Sequence, residues 1–206
     1  MSPSTDVPWD DSRRAFSEAA TWFVDVVGQV GDRWERPGLG EWDVRALVGH
    51  TSRSFLTVEA YLAKPADEVA VASAVAYYVA TRDLAAGPEV AQRGRDSGTA
   101  LGDDPAAAVA EIAARVVPLV AGRDGTELLT TIVGGMRLAD YVPTRTFELV
   151  VHGADLCRAL DLPTAAPTTA ARQALHLVTE LALERGLAGE LLLVATGRPG
   201  PTGSVL

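Results

Sequence analysis

Apolar residues near the start of the chain recur at spacings of three and four: Phe16, Ala19, Ala20, Phe23, Val26, Val27 and Val30. That repeat belongs to a helix burying one stripe, and it predicts a helix over residues 10–34. In "RPGLGEWDVRALVGH" the run Pro37, Gly38 and Gly40 breaks the chain, and Asp43 stands where an N-cap belongs. A second helix is expected from Val44 to Ala63.

Residues 67–84 form an alanine-rich, tyrosine-containing stretch that suits another helix, and the Gly-rich "AAGPEVAQRGRDSGTALGDDP" after it reads as a long connection. A further helix starts after Pro105, with Asp103 or Asp104 as cap, and runs to Val120. "TELLTTIVGGMRL" then changes character: a β-branched run meets the Gly134–Gly135 pair, which predicts a short strand and turn. The next helix covers Leu138–Leu160, either kinked at Pro143 or starting there, since proline is tolerated in a first turn. After "PTAAPT", Thr168 or Thr169 caps a helix over Ala171–Leu187, and "ELLLVATGRPGPTGSVL" is open between a last helical turn and an extended segment. Four or five long amphipathic helices with little strand describe an all-α bundle, an architecture that commonly builds metal and cofactor sites from facing helices.

Composition narrows the partners. A chain of 206 residues, 48% hydrophobic, buries a core as one domain over residues 1–206, with residues 196–206 expected as a flexible tail. A formal charge of −9, a pI near 4.8 and scattered Lys and Arg argue against a nucleic-acid partner and for small-molecule chemistry. The lone Cys157 has no partner for an intramolecular disulfide, and "MSPSTDVPWDDSRRAF" lacks the basic start and apolar core of a secretory signal. No apolar run approaches the roughly 20 residues that span a bilayer. A cytoplasmic protein with no membrane segment is therefore expected.

The candidate chemistry sits in "TFELVVHG", residues 146–153. On a helical wheel Arg145, Glu148, His152 and Asp155 share one arc, bordering the stripe of Leu138, Val142, Leu149, Leu156 and Leu160. A half-buried carboxylate and imidazole need partners or a metal. His50 borders the stripe of Leu47, Thr51, Val58 and Leu62 on a different helix and shares its edge with Ser54 and Tyr61. Two nitrogens and one carboxylate oxygen match a catalytic zinc set with one position open, and nickel or iron also accept such ligands. Spacing alone leaves open a plain Glu–His pair on a helix surface. His176 has no acidic or histidine neighbour at helical spacing and reads as structural.

"GEWDVRALVGHTSRSF" resembles the gW-x-V-x-x-L-x-x-H segment of the mycothiol-dependent maleylpyruvate isomerase-like proteins, within the DinB-like superfamily. "MRLADYVPTRTFELVVHGADLCRALDLP" resembles their R-x-x-E-x-x-x-H-x-x-D-L segment, and "LLVATGRP" is a weaker match near the end. The resemblance runs from Trp34 to about Pro163. It implies a DinB-like four-helix bundle (up-down-down-up) with a short strand and turn segment and an extra C-terminal helix. It also implies a divalent metal, usually zinc, held by His50, Glu148 and His152, where mycothiol or a related thiol is activated against an electrophilic small molecule. Maleylpyruvate isomerases carry a second, C-terminal α/β domain, so a chain ending at Leu206 fits an S-transferase, or a relative with another electrophile, better than a true isomerase. The competing readings are a metal-binding bundle without catalysis and a metal-free bundle that binds a partner.

Individual residues carry alternatives. Arg145 either anchors an anionic substrate or cosubstrate beside the metal, or pairs with Glu148 or supports the ligands from behind; Asp155 either orients a ligating histidine or pairs with Arg158. Ser54 and Tyr61 either contact the cosubstrate or pack helices. Trp42 is expected to pack the start of the second helix, and Cys157, turned away round its helix, to be a small buried apolar residue.

Overall fold

The computed structural model describes residues 8–85 and 89–199. In chain order these form α1 (Trp9–Val27), a β1–β2 hairpin (Pro37–Leu39 and Trp42–Asp43), α2 (Val44–Leu62), α3 (Ala74–Ala85) and α4 (Glu89–Thr99). Then come α5 (Pro105–Ala121), a β3–β4 hairpin (Leu128–Thr131 and Gly134–Arg137), α6 (Leu138–Ala159), α7 (Thr168–Glu184) and α8 (Ala188–Ala195).

The four-helix core is α1, α2, α5 and α6. α1 and α2 sit on a diagonal, each packed along both α5 and α6. They meet at the centre, where Phe16 and Phe23 of α1 lie 6.0 and 6.4 Å from the ring of Phe55 on α2. All three rings are fully buried. Each such side chain, withdrawn from water, contributes about 1.5–3 kcal/mol, so the periodic stripe read in the sequence is what closes the bundle. This all-α architecture agrees with the DinB-like bundle expected from the motifs, and no described helix is long and apolar enough to cross a membrane.

The caps explain where helices start. Asp43 accepts from the Ala46 N–H at 2.7 Å, and Asp104 from the Ala107 N–H at 3.0 Å. Three expected boundaries move. α1 stops at Val27 rather than residue 34, because Gly28 ends it and Gly31 adopts φ +62°. Val30 is still buried, from a turn, which is why the apolar period ran on. α3 begins only at Ala74, where the Ser73 hydroxyl accepts from the Ala76 N–H at 3.1 Å. Before it, the Ala70 and Val71 amides both donate to the Gly135 carbonyl, at 2.8 and 2.9 Å, tying this segment to the β3–β4 hairpin. α7 starts at Thr168 itself, with Pro167 ahead of it, so neither threonine is a cap.

The expected strand and turn at Gly134–Gly135 is the β3–β4 hairpin, which feeds directly into α6. α6 starts five residues before Pro143, so the proline lies in the second turn and supplies no N–H to the Ala139 carbonyl. The C-terminal stretch resolves into α8 after a turn at Gly186 (φ +69°), giving two helices beyond the bundle rather than one. Of the tail expected over 196–206, residues 200–206 lie outside the described residues.

The long connection expected between residues 85 and 105 is overturned, because it contains α4. Glycines there serve close contact. A Cβ on Gly49 of α2 would stand 2.2 Å from the Gly98 nitrogen, and one on Gly94 would meet the Trp42 indole at 2.5 Å. A segment of weak helix preference is thus helical because α2 packs on it, tertiary contact overriding propensity.

Gly49→Ala is therefore expected to destabilise the protein by about 1–3 kcal/mol through overpacking. Gly189→Ala on α8, whose new methyl meets nothing within 4 Å, leaves stability unchanged or slightly raised. Urea denaturation of the two variants checks the contrast.

Candidate metal centre

The Asp43 cap sets the start of α2, and His50 follows two turns in, half-buried. Trp42 lies on the His50 ring, centroids 4.5 Å apart, and its indole N–H donates to the Ala91 carbonyl at 3.0 Å. The expected packing role of Trp42 therefore extends to backing a candidate ligand, with α4 behind it.

On α6, Glu148 and His152 meet one helical turn apart, with Oε2 and Nε2 separated by 3.2 Å. The other ring nitrogen of His152, Nδ1, is 3.2 Å from Asp155 Oδ2. The second oxygen of Glu148 accepts from the Tyr78 hydroxyl at 2.6 Å, a donor that arrives from α3. Gly153 admits the Trp22 indole beside His152, where a Cβ would lie 2.4 Å from that ring. The His50 and His152 rings meet edge to face at 5.1 Å.

One donor atom from each of His50, Glu148 and His152 lies within 4.8 Å of the others, the one such group among the described residues able to hold a metal ion. Ligands each about 2.0–2.2 Å from a tetrahedral zinc stand about 3.3 Å apart, so the α6 pair already has that spacing. His50 needs only a small approach.

Charge follows from burial and neighbours. Burial, and then the cation of His152, lower the His50 pKa to about 4, so this imidazole is neutral near pH 7. Its Nδ1 is buried without a hydrogen-bond partner. A neutral imidazole with an unpartnered buried nitrogen suits ligation. For Glu148 burial acts upward, but the His152 hydrogen bond, Arg145 and the Tyr78 hydrogen bond outweigh it and bring the carboxyl down to about 2. For His152 burial acts downward, and the bonds and charges of Asp155 and Glu148 overcome it, raising the pKa to about 9. Burial and the Glu148 charge hold the Tyr78 phenol well above its ordinary value, so it keeps the proton it donates.

The other candidates separate clearly. Asp155 bonds His152, as the orienting reading requires. Arg145 is buried, its Nε donates to the Thr144 hydroxyl at 2.9 Å, and no carboxylate oxygen comes within the 4.0 Å of an ion pair among the described residues. The expected Arg145–Glu148 ion pair is therefore not formed, because both Glu148 oxygens face other partners. Tyr61 packs at a tilt against Tyr141, centroids 5.4 Å apart, and Ser54 is buried with no hydrogen bond to the three residues. Cys157 is buried and lies outside the cluster, its thiol pushed up by burial. His176 on α7 is likewise outside it. Tyr78 escaped the sequence reading: its bond to Glu148 depends on how α3 crosses α6, and only the Tyr77–Tyr78 pair in an otherwise small-residue stretch hinted at a role.

His152 must lose its proton to ligate, while His50 is already neutral above about pH 4 and Glu148 ionised above about pH 2. Zinc affinity is therefore expected to rise about tenfold per pH unit from pH 6 and to level near pH 9, with one proton released per ion. Asp155→Asn removes one carboxylate from the imidazolium, so it shifts the levelling to lower pH and weakens zinc at high pH by about 10–100-fold. Chelator-competition titrations across pH 6–10 measure both, and a flat wild-type profile contradicts the assignment.

Among curated proteins and among solved structures, none matches the chain significantly. The family described as the mycothiol maleylpyruvate isomerase N-terminal domain matches residues 14–157, a span that includes α2, α6 and the whole cluster. With that match over most of its length, the chain belongs to the mycothiol maleylpyruvate isomerase N-terminal domain family.

Proposed function

We propose that the protein is a metal-dependent enzyme, zinc first and nickel or iron second, that offers mycothiol or a similar low-molecular-weight thiol as a thiolate to an electrophilic small molecule. The observation that carries this is the convergence of three donors from α2 and α6 within 4.8 Å, inside the region matched by a mycothiol family. A divalent ion bound there would lower the pKa of a coordinating thiol, supplying thiolate near neutral pH.

The chain's own residues hold the parts. His50, Glu148 and His152 would bind the ion and leave a fourth position for the thiol. Asp155 accepts a hydrogen bond from His152 Nδ1, which leaves Nε2, on the Glu148 side of the ring, to bind the ion once its own proton is lost. Tyr78 occupies one Glu148 oxygen and leaves the other facing His152. Side-chain exposures of 16% for His152 and 20% for Glu148 keep most water away. In an S-transferase, sulfur forms a bond to carbon as a leaving group departs with its electron pair. In a cis–trans isomerase, sulfur adds to an activated alkene, the carbon–carbon bond turns, and the thiolate is expelled unchanged. The reducing cytoplasm, where such thiols persist, is the matching compartment.

Elemental analysis of the purified protein is expected to find about one zinc per chain in wild type, and His50→Ala to lose far more affinity than the roughly 10–100-fold typical of an outer-shell change. Zinc-loaded wild type given mycothiol and monochlorobimane yields the bimane thioether, and His152→Ala yields none above background. Equal metal in His50→Ala sinks the three-ligand centre. Bound metal with silence across a broad electrophile panel favours the non-catalytic metal-binding bundle.

A further inference from the structure

Arg145 stands on α6 three residues before Glu148, and only 9% of it is exposed. The chain's four tyrosines gather around it. Its guanidinium lies over the rings of Tyr141 and Tyr77, at 4.9 and 5.5 Å, while Tyr61 packs at a tilt against Tyr141 and Tyr77 meets both Tyr141 and Tyr78 edge to face. Aromatic faces attract a cation but accept none of the N–H donors along its edge. Those donors are mostly unused: Nε reaches Thr144, and among the described residues the two terminal nitrogens meet no acceptor.

A guanidinium cannot discharge by losing a proton, and although the Glu148 charge is within electrostatic reach, no carboxylate pairs with Arg145 directly among the described residues, so its burial favours the arrival of an anion. In a chain with 27 acidic residues a partner could have been built in. Glu148, the nearest candidate, has one oxygen committed to Tyr78 and the other turned to His152. A second guanidinium, Arg53, follows His50 by three residues on α2, also with no ion pair or side-chain hydrogen bond among the described residues. Both cations are within electrostatic reach of His50 and of Tyr61.

We propose that Arg145, with Arg53 as a second cation, is an anion subsite beside the cluster that takes a carboxylate of the electrophile through the two terminal guanidinium nitrogens. The planar fork presents two parallel donors, the geometry of a carboxylate. A phosphate site would want further donors, such as a nest of backbone amides, and none is described there. The inference rests on the reading of the cluster as the reaction centre only for the identity of the anion as substrate; the binding itself needs no metal.

The test uses unreactive probes, succinate and its neutral analogue succinamide, titrated calorimetrically into zinc-loaded and chelator-stripped protein. Wild type is expected to bind succinate in both forms and succinamide about 10–100-fold more weakly. Arg145→Met loses succinate binding by a similar factor while holding its zinc, Arg145→Lys retains part of it, and Arg53→Gln weakens it a few-fold. Should Arg145→Met fail to fold, the lysine and Arg53 variants carry the comparison. Succinate binding seen only with zinc and unchanged in the Arg145 variants overturns the proposal, as does inorganic phosphate binding as tightly as succinate. Bimane conjugation with no succinate binding would remove this subsite and leave the thiol chemistry standing. Arginine-dependent succinate binding in a protein that holds no metal would do the reverse.

Discussion

A carboxylate can remain ionised among packed helices only where other groups replace the water it has lost, and the arrangement around Glu148 follows from that constraint. Each of its oxygens has a specific answer: a phenol from α3 for one, an imidazole from the next turn of α6 for the other. The imidazole is in turn held by Asp155. What results is a ladder of alternating charge, in which removing a rung leaves its neighbour buried with fewer compensating partners. His50, across the gap on α2, is the exception: burial keeps it neutral, whereas Glu148 stays charged against its burial through its bonds to His152 and Tyr78 and the charge of Arg145.

The supports of His50 are apolar and steric. Its ring is backed by Trp42, whose indole is pinned by a carbonyl of α4, and α4 reaches that position only because Gly94, Gly98 and Gly49 remove the side chains that would hold the helices apart. A segment distant from the chemistry thereby fixes one edge of it. The same logic applies at Gly153, where the missing side chain lets Trp22 of α1 close over α6 next to His152.

What could be read from sequence follows the range of the physics involved. Caps such as Asp43 and Asp104 act over three residues, and the stripe of Phe16, Phe23 and Val27 repeats with the helix, so both were legible. The arc joining Arg145, Glu148, His152 and Asp155 was legible for the same reason, since all four ride one helix. α4 was not, because its glycine-rich sequence prefers no helix until α2 lies against it. Tyr78 and the tyrosine setting of Arg145 were hidden for a related reason: they are contacts between elements, and the wheel of α6 is silent about what α3 and the end of α2 bring to it.

Two donors of the cluster come from one turn of α6 and the third from α2, nearly a hundred positions earlier in the chain. An unfolded polypeptide keeps the α6 pair nearby but scatters the third donor, so it chelates far more weakly than the native state. An ion gripped by all three would draw its extra affinity from chain closure, and by mass action would return it as resistance to unfolding, in proportion to the logarithm of its free concentration over its dissociation constant. Metal supply in the cell would then set how long the molecule lasts as well as what it can do.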